Sequence, residues 1–221
     1  MVVQNSKSGL WGKYNMYQAK DKQYAIIAVL YYFVMMFSYA IMGILYQQGR
    51  GYNSIIQWLL LVGVVLIVII KDKSIRDLGF TKEKLKPNLL ISGAIVIASI
   101  GAAFLYTDKS ASIITEAALY FLFFIAFPEE IICRGFIQNY LFGLNINRKI
   151  VYIIGAVMFS LMHLPFQMYA KDMVSWSYIV AARPQLIYTF LFHLVMCFIT
   201  YKRKDILIPT ALHFANNFLM N

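Results

Sequence analysis

The charged residues of this sequence divide it into long segments that carry no charge at all. Five uncharged runs are 18 to 27 residues long and cover residues 23–49, 51–70, 87–107, 150–170 and 184–201. A helix needs about 20 mostly apolar residues to cross the hydrocarbon core of a membrane. Two less regular apolar segments, 113–143 and 206–221, complete the pattern. The sequence therefore predicts an all-α, polytopic membrane helical bundle of about seven transmembrane helices.

Composition excludes the common soluble classes. Charged residues make up 14% of the chain and hydrophobic residues 61%, against about 25% and 45–50% in soluble domains. Two cysteines, Cys133 and Cys197, are too few for a disulfide scaffold. The formal net charge of +10 would suggest nucleic acid in a soluble protein. In a membrane protein such an excess reflects topology, so we expect no nucleic-acid partner.

The basic residues are unevenly distributed between the loops. With a cytoplasmic N-terminus, fifteen of them lie in inside segments and four in outside loops, which is the positive-inside pattern. We therefore expect a multi-pass protein of the cell membrane, and its Lys-, Ile-, Tyr- and Asn-rich composition suggests a bacterial source. Residues 1–112 would form an N-terminal cytoplasmic segment and three transmembrane helices. Residues 113–221 would form a core of about four helices in the same membrane domain.

Ionisable residues within apolar segments are costly and usually functional. Glu130 and Arg134 are four residues apart on a predicted helix, which makes them natural ion-pair partners. Glu129 lies about 100° around the helix from Glu130 and so stays available as a base. A purely structural ion pair with one protonated glutamate is the alternative, and it leaves Glu129 without a purpose.

Two later segments add imidazoles and a carboxamide. Phe159 and His163 are four apart, so the ring can pack on the imidazole, although a single histidine in an apolar helix is more often a core residue. His213 and Asn217 have the same spacing. An asparagine can hold a histidine tautomer, bind a metal or stabilise an oxyanion, or it can form a hydrogen bond between membrane helices.

The helical rise of about 1.5 Å per residue places these side chains within a hydrocarbon core of about 30 Å. A carboxylate, two imidazoles and a carboxamide that converge on one water molecule suit hydrolysis. We expect Glu129, His163, His213 and Asn217 to surround one polar cavity that opens to the cytoplasmic side.

Taken in order, these motifs resemble the CPBP family, which comprises CAAX proteases and bacteriocin-processing enzymes and is also called the Abi family. The resemblance spans about residues 119–221 and includes a glycine after the arginine and Leu-Pro after the first histidine. The matching residues are Glu129, Glu130, Arg134, Phe159, His163, His213 and Asn217. Residues 77–80, Asp-Leu-Gly-Phe, also look like the loop that often precedes the family core.

The resemblance implies an intramembrane metalloendopeptidase. It assigns the base to Glu129 and gives His163, His213 and Asn217 catalytic roles, with Glu130, Arg134 and Phe159 in support. His163, His213 and Glu129 would be the ligands if a divalent metal, such as zinc, is bound. The implied partners are a peptide or protein substrate and membrane lipids, and the implied processes are bacteriocin or signal-peptide maturation or self-immunity.

The sequence departs from the family pattern at one place, and two other functions are alternatives to a protease. Where the family often has small glycines, this chain has His193 and Cys197. We interpret His193 as a packing or surface residue, with a third imidazole near the site as the alternative. A non-catalytic immunity protein, or a scaffold for a membrane sensor or transporter, is the alternative function. A proton-coupled transporter is a third possibility, but no inverted repeat supports it.

Overall fold

The computed structural model describes residues 16–51 and 54–220, and this part of the chain contains helices and no strand. Lys7 and Lys13, which contribute to the charge asymmetry, lie outside the described residues. The helices are α1 (Lys22–Gln47), α2 (Ser54–Asp72), α3 (Leu85–Tyr106), α4 (Ala111–Leu144), α5 (Arg148–Ala170), α6 (Trp176–Ala181), α7 (Arg183–Arg203) and α8 (Leu207–Leu219).

Six of the described helices are long and apolar enough to cross a membrane. They are α1, α2, α3, α4, α5 and α7. The all-α membrane bundle is therefore confirmed, and the number of spans is close to the expected seven. The remaining segment, α8, has only 13 residues, which at 1.5 Å per residue is shorter than a hydrocarbon core of about 30 Å. The cytoplasmic position of the N-terminus stays a prediction.

Helix α4 is irregular on both sides of its two glutamates. Its four-residue α-helical turn, Phe127–Glu130, lies between π-helical segments at Phe121–Ala126 and Ile131–Gln138. Pro128 has no N–H to donate to the preceding turn, which disrupts regular α-helical bonding. π-Helical turns absorb such interruptions and are frequent at functional sites. The local sequence thus sets the direction in which Glu129 and Glu130 point.

Two glycines allow other segments to approach closely. A Cβ at Gly135 would lie 2.6 Å from the carbonyl oxygen of Leu78, so the 77–80 loop packs directly on α4. A Cβ at Gly43 would lie 2.5 Å from the carbonyl oxygen of Phe166, so α1 packs directly on the end of α5. The first contact holds the 77–80 loop against α4. The second makes α1 a wall of the region next to Glu129.

The last helix brings its polar residues to α4. Helix α8 packs along α3 and also contacts α4 and α7. Thr210, His213 and Phe214 are buried on its inner face. His213 consequently reaches the two glutamates, although it is more than 80 residues away in the sequence.

Candidate active site

The two glutamates of α4 have different surroundings. The Glu130 side chain is fully buried, whereas 11% of the Glu129 side chain is exposed. Glu130 Oε1 lies 2.8 Å from Arg134 Nη1, so the ion pair predicted from their spacing is present. The Arg134 guanidinium lies 3.8 Å from the centroid of the Phe159 ring, where the ring face attracts the cation. Glu130 is thus neutralised in place, and Glu129 remains accessible.

His213 connects the two carboxylates. Its Nδ1 lies 2.7 Å from Glu130 Oε1, and its Nε2 lies 3.7 Å from Glu129 Oε2. When Nδ1 donates its proton to Glu130, the neutral ring presents the Nε2 lone pair toward Glu129. At 3.7 Å these two atoms are too far apart for a direct hydrogen bond. We call Glu129, Glu130 and His213 the glutamate cluster. The contact between Glu130 and His213 was not predicted, because nothing local to either motif indicates it.

The backbone of its own helix orients His163. Its Nδ1 lies 3.0 Å from the carbonyl oxygen of Phe159 and 3.3 Å from that of Ser160. The Phe159 ring packs edge-to-face on the imidazole, with centroids 5.2 Å apart, as the spacing predicted. The same ring lies 6.4 Å from His213. Because Nδ1 donates to the backbone, Nε2 is the nitrogen left for chemistry.

Glu129 and His163 share a cavity of about 160 Å³. The other lining residues are Tyr39, Met42, Ile125, Met162, Phe166 and Gln167. Such a volume has room for several water molecules beside the carboxylate. His213 contacts Glu129 without lining the cavity, and Asn217, one turn further along α8, does not line it either. Asn217 Oδ1 accepts a hydrogen bond from Asn216 Nδ2 at 3.2 Å.

The cavity lies in the half of the bundle away from the basic loops. Tyr39 and Met42 are near the end of α1, and Phe166 and Gln167 are near the end of α5, whereas Lys22 and Arg148 begin these helices. Toward the basic end, the buried side chains of Arg134 and Phe159 fill the space below the carboxylates. Arg134 and Phe159 thus lie between this cavity and the basic loops, and the expectation that the cavity opens to the cytoplasmic side stays a prediction.

A second buried polar group lies further along α4. His193 Nε2 is 2.9 Å from Gln138 Oε1 and 3.2 Å from Cys197 Sγ. The hydroxyl of Tyr17 lies 3.8 Å from the same sulfur. We call Gln138, His193, Cys197 and Tyr17 the glutamine cluster. None of its members lines the cavity next to Glu129.

The donor types next to the cavity are those that zinc prefers. In the described part of the chain, however, no three histidine, cysteine, aspartate or glutamate side chains form a group close enough to hold a metal ion.

A comparison with known protein families shows to which family the chain belongs. Residues 110–219, practically half of the chain, match the family model described as type II CAAX prenyl endopeptidase Rce1-like. The chain belongs to this family. The matched residues include the whole glutamate cluster, His163, Arg134 and Phe159. No curated protein and no solved structure matches the chain.

Membership of the Rce1-like family fixes the general nature of the protein. The family is one of CAAX-type proteases, and the chain is built as a multi-pass membrane helical bundle. A protease of this kind meets its peptide substrate and lipids at the membrane. The transporter interpretation loses its support, because the polar residues that suggested it belong to the family's protease region.

Proposed function

We propose that this protease hydrolyses a peptide bond of a membrane-associated or secreted peptide with a water molecule activated by Glu129. The observation that carries the proposal is the contrast between the two glutamates. Glu130 is buried and ion-paired, whereas Glu129 is partly exposed beside a cavity and next to two imidazoles. A general base must reach both water and its substrate, and of the two glutamates only Glu129 borders a cavity.

The proposed reaction begins in the cavity. Glu129 removes a proton from water, and the water oxygen attacks the carbonyl carbon of the scissile peptide bond. The carbon–nitrogen bond then breaks, and Glu129 returns the proton to the leaving amine. His213 positions Glu129, and Glu130 and Arg134 hold His213 in turn.

The developing oxyanion needs hydrogen-bond donors. His163 donates from Nε2 only as an imidazolium, because its Nδ1 proton is committed to the backbone carbonyls. Asn217 is proposed as the second donor from its carboxamide. A divalent metal such as zinc is a separate proposal, for which His163, His213 and Glu129 would be the donors only after they move closer together than in this structure. It would supply Lewis-acid activation of the carbonyl.

The position of the cavity bears on where the substrate comes from. If the basic loops are cytoplasmic, as the charge distribution predicts, the cavity lies in the opposite half of the membrane. Peptides that have crossed, or are crossing, the membrane would then be the substrates. Maturation of a bacteriocin or of a signal peptide, or self-immunity against an external peptide, fits this location.

A non-catalytic immunity protein or membrane scaffold is the second candidate. The small volume of the cavity favours it, because about 160 Å³ is below the range of about 300–1,000 Å³ for ligand pockets. A protease must therefore widen this region to admit a peptide. Movement of α1 relative to α5, which border the cavity, would provide that opening.

Replacement of Glu129 by glutamine tests the proposal. Cells that express the wild-type protein or Glu129→Gln are compared by mass spectrometry of new peptide termini in membrane and secreted fractions. Termini that depend on the wild type should disappear with Glu129→Gln and remain with Glu116→Gln, which changes an exposed glutamate of the same helix. Identical sets of termini from all three proteins would favour the scaffold function.

A further inference from the structure

A large groove runs between α5 and α7 at the basic end of the bundle. Its volume is about 590 Å³, within the range of ligand pockets. It shares no lining residue with the cavity next to Glu129. The groove is therefore a separate feature, and its interpretation does not depend on the proposed hydrolysis.

The lining of the groove changes from apolar to cationic along its length. Ile153, Leu194 and Phe198 form its apolar walls and lie inside the two helices. Its basic rim is formed by Arg148, Lys149 and Lys202. Because α5 begins at Arg148 and α7 ends at Arg203, the rim lies at the membrane surface and the walls lie deeper.

A second cavity continues from this rim. Its volume is about 450 Å³, and it shares Arg148 and Tyr201 with the groove. Gln18 and Asn145 give it polar walls beyond the helix ends. From the membrane interior outward, the groove first presents its apolar walls and then its basic rim. The second cavity, which we call the polar chamber, follows.

The cations of the rim differ from three other basic residues at this end of the protein, which are held in ion pairs. Lys20 pairs with Asp77, and both Arg76 and Lys204 pair with Glu83. Among the described residues, no carboxylate lies within ion-pair distance of the basic rim. Cations without a carboxylate partner on both helices that border the groove attract an anion.

Contacts within the protein orient the central cation. Arg148 Nη2 donates to the carbonyl oxygen of Tyr17 at 3.2 Å. Its guanidinium also lies 5.6 Å from the centroid of Phe142 and 5.7 Å from that of Tyr201. A guanidinium held in this way loses less entropy when it binds a phosphate.

We infer that the groove binds one anionic glycerophospholipid from the leaflet at the basic end. An acyl chain lies against the apolar walls, the phosphate contacts the basic rim, and the rest of the headgroup enters the polar chamber. Basic pockets between transmembrane helices on the cytoplasmic side are suited to such headgroups. The charge complementarity favours phosphatidylglycerol over the zwitterionic phosphatidylcholine.

Lipid titration of the purified protein tests this inference. The protein in detergent is titrated with phosphatidylglycerol or phosphatidylcholine, and native mass spectrometry counts the bound lipid molecules. One phosphatidylglycerol should bind in preference to phosphatidylcholine. The double variant Lys149→Gln/Lys202→Gln should bind it about 25-fold more weakly, because each lysine near an anionic surface contributes about a factor of five.

Matched variants separate the groove from general charge effects. Lys22→Gln/Lys86→Gln removes the same charge from exposed positions at the same end, and its affinity should stay within about twofold of the wild type. Leu194→Trp fills the groove and should reduce lipid binding without removing charge. Circular dichroism and thermal unfolding confirm that each variant is folded, and Ile153→Trp replaces Leu194→Trp if the latter is not.

Several outcomes would overturn the inference. Equal binding of phosphatidylcholine would remove the role of charge, and an equal loss in Lys22→Gln/Lys86→Gln would remove the role of the rim. Full binding by a folded groove-filling variant would remove the role of the apolar walls. Glycerol 1-phosphate that binds as tightly as the lipid would indicate a site for soluble phosphates.

Discussion

The glutamate cluster and the glutamine cluster are built on the same plan but differ in charge. In each, a histidine from a later helix makes a hydrogen bond to a side-chain oxygen of α4, at 2.7 Å to Glu130 and 2.9 Å to Gln138. The Phe159 ring lies near both histidines, at 6.4 Å and 5.1 Å. Only the glutamate cluster has carboxylates, and only it contains a residue that lines the cavity next to Glu129.

This difference separates a functional arrangement from a structural one. The bond between the Gln138 carboxamide and His193 Nε2 pairs two polar groups without placing a charge in a medium of low dielectric constant. A carboxylate in the same position is costly, and here a buried arginine must accompany it. We therefore expect the glutamine cluster to join helices and the glutamate cluster to perform the chemistry.

The largest expected effect comes from replacing the histidine of the glutamate cluster, and the matching replacement in the glutamine cluster is its control. His213→Gln should lower the rate of peptide cleavage at least about 100-fold, because Glu129 loses the side chain that positions it, and a general base contributes about 10²–10⁴-fold. His193→Gln should leave the rate within about threefold. The measurement uses a peptide whose cleavage depends on Glu129. Equal losses in the two variants would break the distinction between the clusters.

Much of this architecture could be predicted because membrane spans are local features. The uncharged run 23–49 corresponds to α1 at Lys22–Gln47, and the run 184–201 corresponds to α7 at Arg183–Arg203. Spacing on a single helix was equally informative. It predicted the ion pair between Glu130 and Arg134 and the packing of Phe159 on His163.

Relationships between helices were harder to predict. The bond from His213 to Glu130 depends on how α8 crosses α4, and periodicity within either helix contains no information about that crossing. The side on which the cavity lies depends on the volume that Arg134 and Phe159 fill together, which the sequence does not express. The groove between α5 and α7 likewise exists only when the two helices are packed.

The second largest effect concerns the arginine below the glutamate cluster. Arg134→Ala leaves Glu130 buried without its cation, and loss of one partner of a buried ion pair typically costs about 3–5 kcal/mol in the free energy of unfolding. Thermal unfolding of the purified protein in detergent measures the loss. A variant with wild-type stability that cannot cleave would move Arg134 from the supporting residues to the catalytic ones.

A smaller loss is expected in the glutamine cluster. His193→Phe removes the imidazole bonded to Gln138 Oε1 and keeps a ring of similar shape. A buried polar atom left without a partner costs about 1–3 kcal/mol, below the loss expected for Arg134→Ala. The same unfolding assay compares the two variants. A loss as large as that of Arg134→Ala would mean that the uncharged cluster is as important for stability as the charged one.

The last expected effect concerns a carboxylate outside the spans. Burial raises the pKa of Asp205 from 3.8 to about 6, although its Oδ1 accepts a hydrogen bond from the Leu207 N–H at 2.6 Å. The folded state therefore favours the protonated acid. Its contribution to stability is fully present below about pH 4 and is lost as the pH rises through about 6.

Asp205→Asn should remove this dependence, because the amide oxygen still accepts from Leu207 but does not ionise. One group changes the free energy of unfolding by at most about 1.4 kcal/mol per pH unit. Thermal unfolding between pH 4 and 7 should therefore give a flatter curve for the variant than for the wild type. Parallel curves would show that Asp205 does not change its protonation in this range. In that case the folded protein would accommodate a charged carboxylate at this position, unlike the uncharged side chains of the glutamine cluster.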